Sequence, residues 1–183
     1  MTSKRSNPKK IVSLVAALNA AVWLGGSVFF TFVAGPAFFS PELELILPKP
    51  ENGIAARYLI GKFTAFQIAC ACIALITMVL GWRWNVRRFQ KMQALVLGTV
   101  ILLIVCGMMF LTSKLDALHQ LKYAEYFGLT ATPEVQENAA TQFGPLHGLS
   151  QAGNLLVLIG LFAQFIITWR LATELNEQDS KQA

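Results

Sequence analysis

Long apolar segments alternate with short polar ones along the chain. Four apolar runs lie near residues 11–39, 58–81, 92–113 and 146–169. Each run is long enough for a helix of about 20 residues, which crosses about 30 Å of hydrocarbon. The pattern therefore predicts an all-α fold, an integral membrane bundle of four transmembrane helices that together occupy residues 11–169.

The segment 114–145, between the third and fourth runs, is predicted to be a helical excursion on the outer side of the membrane. The helical period of apolar residues in the third run continues as far as Leu118. Thr132 is a suitable N-cap, and Pro133 fits the first position of a further short helix. Two polar tails, residues 1–10 and 170–183, flank the transmembrane domain.

Composition supports a membrane environment. The 183 residues are 55% hydrophobic and 14% charged, with a mean hydropathy of +0.52, whereas a soluble domain has about 25% charged residues. Basic residues precede the first run, but the run exceeds the 7–15 residues of a signal-peptide core and no clear A-x-A cleavage site closes it. We therefore expect the first run to remain as a transmembrane helix.

The sequence gives little indication of catalysis. Every Asp and Glu lies outside the four apolar runs, and nothing resembles a hydrolase triad or a phosphate-binding loop. Cys70, Cys72 and Cys106 lie inside apolar runs, where cysteine packs as a small hydrophobic residue. Their spacing does not match a zinc motif. These features favour a non-enzymatic protein.

The charges of the connecting segments differ in sign. Segments 1–10 and 82–91 each carry four basic residues and no acid, while 40–53 and 114–145 carry more acidic than basic residues. Since cytoplasmic loops are enriched in Lys and Arg, both termini are predicted to be cytoplasmic. The basic residues are Lys4, Arg5, Lys9, Lys10, Arg83, Arg87, Arg88 and Lys91.

This charge pattern also indicates the partners. The basic segments are expected to contact anionic lipid headgroups, and no further domain remains to bind nucleic acid. We expect a multi-pass protein of the bacterial cytoplasmic membrane. Two further kinds of partner stay open: another membrane protein, and a second copy of this chain in a homo-oligomer.

A polar stripe opens the fourth run, in FGPLHGLSQAGNLLVLIG, residues 143–160. His147, Ser150, Gln151 and Asn154 are separated by helical spacings, so they share one face of a helix. Polar side chains in an apolar segment cost free energy unless they find hydrogen-bond partners. The stripe is therefore predicted to contact another helix.

Asn19, Trp23 and Gly26 form a similar stripe on the first helix. At about 1.5 Å per residue, Trp23, Gln67 and Asn154 reach nearly the same depth in the bilayer. Helix four is therefore predicted to contact helix one through Trp23, Gly26 and Asn154, with Gln67 nearby.

Two interpretations of these polar residues stay open. Interhelical hydrogen bonds of about 0.6–2 kcal/mol each are ordinary in membrane proteins, so the residues could serve packing alone. Alternatively, they form a polar intramembrane site for a small solute. His147 is then the first candidate metal ligand, with Gln151 or His119 next, although His119 and Asp116 could also form a solvated helix face. The candidate site comprises Asn19, Trp23, Gly26, Gln67, His147, Ser150, Gln151 and Asn154.

Two segments resemble a known family. VWLGGSVFFTFVAGPAFF and FGPLHGLSQAGNLL are similar to the two signature regions of the transmembrane protein 205-like family, four-span membrane proteins of bacteria and eukaryotes. The resemblance implies an architecture rather than an activity. The Gly144-Pro145 pair departs from the family pattern, in which helix four begins as a more continuous helix. The matching residues are Trp23, Gly25, Gly26, Phe30, Pro36, Phe143, His147, Gly148, Ser150 and Asn154.

More distantly, the Trp-x-x-Gly-x-x-Phe pattern before a proline is similar to CopD-like membrane proteins. That likeness would imply haem or copper as a cofactor. The residues themselves, apart from this likeness, predict no cofactor. Our leading prediction is a small polar site near the outer face that binds or passes a small solute or a metal. The alternatives are a haem- or copper-linked redox protein and a structural subunit of a membrane complex.

Overall fold

A computed structural model of the chain describes residues 8–82 and 87–180. The described part of the chain is helical apart from turns and short connections, and it contains no strand. Four helical stretches in it are long and apolar enough to cross a membrane. The predicted all-α membrane bundle is therefore confirmed. The predictions for Lys4, Arg5 and Arg83 fall outside the described residues.

Residues 8–82 and 87–180 form seven α-helices and two π-helical segments. The first π-helical segment, Phe30–Ala34, joins α1 to α2, and the second, Gly107–Thr112, joins α5 to α6. The helices are α1 (Pro8–Phe29), α2 (Gly35–Ala37), α3 (Pro41–Ile46), α4 (Glu51–Gly81), α5 (Arg87–Cys106), α6 (Ser113–Lys122) and α7 (Pro133–Ser180). The four membrane-length stretches are Pro8–Ala37, Glu51–Gly81, Phe89–Lys122 and Pro133–Glu174.

The fourth span differs from the expectation of a separate short helix after Thr132. The Val135 backbone N–H donates to Thr132 Oγ1 (3.4 Å), the arrangement of an N-cap. However, the helix that begins there is α7 itself, which continues through Pro145 to Ser180. Proline removes one helical donor and usually clashes with the Cβ of the residue before it. That residue is Gly144, which has no Cβ, so the helix passes the proline unbroken.

A similar Gly-Pro pair lies at the end of the first span. The Gly35 N–H donates to Phe30 O, five residues earlier, which gives the π-helical turn. The helix then continues through Pro36 to Ala37. The irregularity before this proline is thus a local π-helical turn, of the kind found where a helix accommodates a disturbance.

The four spans are antiparallel neighbours. α1 packs against α4 and α7, while α5 packs against α7 and α4. The rings of Phe30 and Phe63 stack with centroids 4.0 Å apart, and this contact fixes the register of α1 on α4. A Cβ on Gly160 would lie 2.5 Å from Val100 Cγ2, so α7 approaches α5 closely there.

An apolar layer crosses the middle of the bundle and receives residues from all four spans. Trp23, which is 1% exposed, belongs to it. Cys70 belongs to this layer, whereas Cys72 is exposed and Cys106 only partly buried. The buried members are Trp23, Cys70, Ala74, Leu97, Val100, Val157 and Leu161.

The two ends of the bundle differ. One end carries His119 and His147 together with α3 and α6, and we call it the histidine end. The opposite end carries the first turn of α1 and the last turns of α7.

Candidate functional site

The predicted polar residues occupy different levels of the bundle. Asn19 Nδ2 donates to Cys70 O at 3.0 Å, which links α1 to α4. Asn154 Nδ2 donates to Thr31 Oγ1 at 2.7 Å, which links α7 to the first π-helical segment. Trp23 and Gln67 are buried between these two bonds. The expected contact between the first and fourth spans is therefore present. Asn154 takes part in it as predicted, with Thr31 as its partner, and Trp23 packs in one cluster with Val157 and Leu161 of α7.

The predicted common depth of Trp23 and Asn154 is wrong. Asn154 bonds Thr31, which lies eight residues beyond Trp23 and hence about 12 Å further along the helix. The bond to Thr31 shows that Asn154 lies closer to the histidine end than the predicted depth implies.

Gly26 also has a different neighbour from the one predicted. A Cβ at this position would lie 2.8 Å from Phe66 Cζ on α4. Gly26 therefore lets Phe66 approach α1, and it does not face α7. At the adjacent Gly25, a Cβ would meet no atom within 4 Å.

His147 packs among aromatic rings at the histidine end. Its ring stacks on Phe143, with centroids 5.7 Å apart and planes 10° from parallel, and meets Phe39 edge-on at 6.5 Å. Gln151 Nε2 lies 3.2 Å from His147 Nε2 and donates to it. Gln151 is exposed and Ser150 is half-buried, so this part of the predicted stripe lies at the surface of the bundle.

His119 occupies the neighbouring position on α6. Its Nε2 atom lies so close to α4 that a Cβ on Gly53 would be 2.6 Å away. Its ring contacts Tyr123, Phe127 and Phe143, with centroids 5.1, 6.0 and 6.1 Å away. Phe143 thus contacts both histidines. We call His119, Tyr123, Phe127, Phe143 and His147 the aromatic cluster.

The predicted metal ligands do not assemble into a metal-binding group. His119 Nε2 lies against the backbone of Gly53, and His147 Nε2 accepts from Gln151. Within residues 8–82 and 87–180, no group of three or more His, Cys, Asp or Glu could hold a metal ion. Zinc sites ordinarily use three or four protein ligands. The geometry therefore supports packing of the imidazoles rather than coordination.

Charged groups surround the aromatic cluster. Arg57 on α4 forms a salt bridge with Asp116 on α6, one turn before His119. Asp116 was expected to share a solvated face with His119, and it instead ties two helices together. Lys49 Nζ lies 2.8 Å from Glu44, and this hydrogen bond raises the pKa of the Lys49 side chain.

Two buried polar atoms at this end have no partner. Within the described part of the chain, Glu51 Oε2 and Asn52 Nδ2 lack a hydrogen bond. They begin α4, directly before Gly53. The sequence interpretation missed both because segment 40–53 was examined for charge alone.

A second polar region lies towards the opposite end. Narrow space between the spans is lined by buried polar side chains from all four, including Asn19 and Trp23. The residues that the prediction missed are Thr77, Gln93, Gln164 and Thr168. Gln93 and Gln164 are amides within apolar runs, so a search of all four runs for polar side chains would have found them.

Helices of this length and direction, with polar residues buried between them, define a multi-pass membrane protein. Residues 18–124, more than half of the chain, match the family model described as Domain of unknown function (DUF4149). The chain belongs to this family.

The match covers most of the first span and all of the second and third, including Trp23, Gln67 and His119, and it ends before His147. Searches of curated proteins and of solved structures return no significant match. The resemblances to the transmembrane protein 205-like family and to CopD-like proteins are not confirmed by these comparisons.

Proposed function

We propose that this protein is a non-enzymatic membrane protein that binds a small neutral solute at the histidine end. The observation that carries the proposal is the pair of buried, unpartnered atoms Glu51 Oε2 and Asn52 Nδ2. A buried polar atom without a partner costs about 1–3 kcal/mol. A ligand that supplies the missing hydrogen bonds would recover that free energy.

The surroundings favour a particular ligand chemistry. Asn52 offers a donor and Glu51 an acceptor, so the ligand should carry both kinds of group. The aromatic cluster offers apolar ring faces through His119, which contacts Gly53 beside these two residues. Lys122 Nζ already lies over the rings of Tyr123 and Phe143, at 5.2 and 5.7 Å, where a cationic ligand would bind. A neutral amide fits these features best.

Binding is favoured over passage through the bundle. The apolar layer around Trp23 lies between the histidine end and the opposite end. Trp23, Leu97 and Leu161 are each at most 2% exposed. A polar solute would have to lose its hydrogen bonds to cross this layer.

The proposal includes the side of the membrane from which the solute binds. The positive-inside rule places the basic segments, and with them both termini, in the cytoplasm. The histidine end would then face outward, so the solute would arrive from outside the cell.

Thermal unfolding in lipid nanodiscs tests the proposal. The protein is heated with acetamide, nicotinamide or glutamine at millimolar concentrations. A ligand that binds only the folded state stabilises it by RT ln(1 + [L]/Kd), about 2.7 kcal/mol at 100 times Kd. We expect at least one of these amides to raise the unfolding temperature.

Two variants test where the amide binds. Asn52→Leu should abolish the stabilisation because it removes the unpaired donor, whereas Thr168→Val, near the opposite end, should retain it. Stabilisation that survives in Asn52→Leu would contradict the assigned site. The absence of stabilisation by all three amides would contradict the function and favour a structural subunit.

A further inference from the structure

Between the apolar layer and the opposite end, the bundle contains a narrow crevice. All four spans line it, and it ends at Trp23. Its volume is about 10 Å³. The polar side chains around it are Asn19, Trp23, Thr77, Gln93, Gln164 and Thr168.

Two residues that line this crevice each carry a buried atom without a hydrogen-bond partner within the described residues. These atoms are the donor Trp23 Nε1 and the acceptor Gln164 Oε1. Trp23 is 1% exposed and Gln164 is 3% exposed, so lipid headgroups and bulk water do not reach them. Native proteins rarely leave such atoms unsatisfied, and ordered water often supplies the missing bond.

Further acceptors line the same space. Thr77 Oγ1 donates its hydrogen to the carbonyls of Ile73 and Ala74, at 2.8 and 3.1 Å. Thr168 Oγ1 donates to Gln164 O at 2.8 Å. Each hydroxyl has thus used its hydrogen on its own helix, and its oxygen can still accept from a molecule in the crevice.

The crevice continues towards the opposite end. An adjoining cavity of about 20 Å³ shares Ala16, Thr77, Gln93 and Thr168 with it. The second cavity reaches Ser13 on α1 and Ala172 on α7, near the ends of those helices. The two cavities together therefore form one polar path from the end of the bundle to Trp23.

We propose that this path is a binding site for a short file of ordered water molecules that enters from the opposite end and ends at Trp23. A water molecule needs about 10–15 Å³ of accessible space and two to four polar partners. The volumes admit water and exclude larger solutes. The described lining residues include no Asp, Glu, Lys, Arg or His, which favours a neutral ligand.

The water site is independent of the proposed solute site. The apolar layer separates the two regions, and none of the crevice residues belongs to the aromatic cluster. Failure of either proposal would leave the other standing.

Nuclear magnetic resonance of the protein in nanodiscs, with ¹⁵N in its tryptophan indoles, tests the site. Magnetisation transfer from water to the Trp23 indole N–H should be observed, and Trp23→Phe identifies the signal. Gln164→Met removes the acceptor but keeps a similar side-chain shape. The magnetisation transfer from water to Trp23 should therefore lose most of its intensity. The lipid-facing Trp169, 56% exposed, serves as an internal control and should not change.

Thr168→Val provides a second variant if Gln164→Met does not fold. It keeps the side-chain volume and removes a crevice oxygen, so the Trp23 transfer should again weaken. A folded wild-type protein without transfer to Trp23 would overturn the proposal. So would a transfer that is unchanged in a folded Gln164→Met or Thr168→Val protein.

Discussion

At the scale of single residues, polar side chains in the apolar spans divide into two kinds. Asn19 and Asn154 each bond a group on a neighbouring span, at 3.0 and 2.7 Å. Interhelical bonds of this kind contribute about 0.6–2 kcal/mol. His147 instead bonds Gln151 on its own helix and contacts aromatic rings. Asn154 thus links two spans, whereas His147 bonds within its own helix and packs in the aromatic cluster.

His147→Asn and Asn154→Leu separate these two roles. Asn154→Leu removes the bond to Thr31, so the free energy of unfolding should fall by about 0.6–2 kcal/mol, with amide-dependent stabilisation retained. His147→Asn removes a ring from the aromatic cluster, so amide-dependent stabilisation should weaken even though the protein stays folded. Thermal unfolding of both variants with and without amide checks this. A His147→Asn protein that binds amide normally would show that His147 only packs.

The salt bridge between Arg57 and Asp116 is expected to couple α4 to α6. The two side chains are 49% and 24% exposed, so solvent screens the pair. A double-mutant cycle with Arg57→Gln and Asp116→Asn should give a coupling free energy of about 0.2–1 kcal/mol, typical of partly exposed pairs. Fully additive effects of the two substitutions on unfolding would show that the pair contributes nothing to the docking of α6.

At the scale of helices, glycines decide how closely two spans approach. Gly26 admits Phe66 of α4, and Gly160 admits Val100 of α5. Without a hydrophobic driving force between helices in lipid, such close contacts contribute much of the association. The close packing of the first span on α4 and of the last span on α5 therefore each depends on one glycine.

The adjacent Gly25 and Gly26 offer a matched pair of variants. Gly26→Leu should push Phe66 away and lower the free energy of unfolding by about 1–3 kcal/mol, the usual cost of overpacking. Gly25→Leu adds the same side chain where a Cβ meets no atom within 4 Å, so its effect should be close to zero. Thermal unfolding in one detergent measures both. Equal destabilisation would mean that helix propensity or lipid contact, and not the approach of Phe66, controls stability.

The helices were predictable from the sequence because bilayer thickness fixes the length of an apolar span. The residue contacts between the helices were less predictable. A depth counted along a helix depends on the residue at which that helix enters the membrane. For α7 the bond from Asn154 to Thr31 shows that the predicted depth was too great. Gln93 was missed because no polar residue of the third run was considered, and Gln164 because the polar stripe of the fourth run was followed only as far as Asn154.

At the scale of the whole molecule, an apolar layer separates two polar regions of different character. The histidine end has charged groups and aromatic rings, including the Arg57–Asp116 salt bridge. The crevice near the opposite end has amides and hydroxyls without charge among its described residues. This asymmetry matches the difference between the loops at the two ends, which are acidic at one and basic at the other.

The final prediction concerns orientation in the membrane. The antiparallel spans place the start of α1 and the end of α7 at the same end of the bundle, and the basic residues Lys9 and Lys10 lie at the beginning of α1. Because Lys and Arg are retained on the cytoplasmic side, a reporter fused after Ala183 should be active only in the cytoplasm. The same reporter inserted after Leu129, between α6 and α7, should be active only outside. Inserting Lys and Arg beside Leu129 supplies the control, since it should weaken or invert this preference if charge sets the orientation. Reporter activity outside the cell for the Ala183 fusion would reverse the assigned sides, and the proposed solute would then have to reach the histidine end from the cytoplasm.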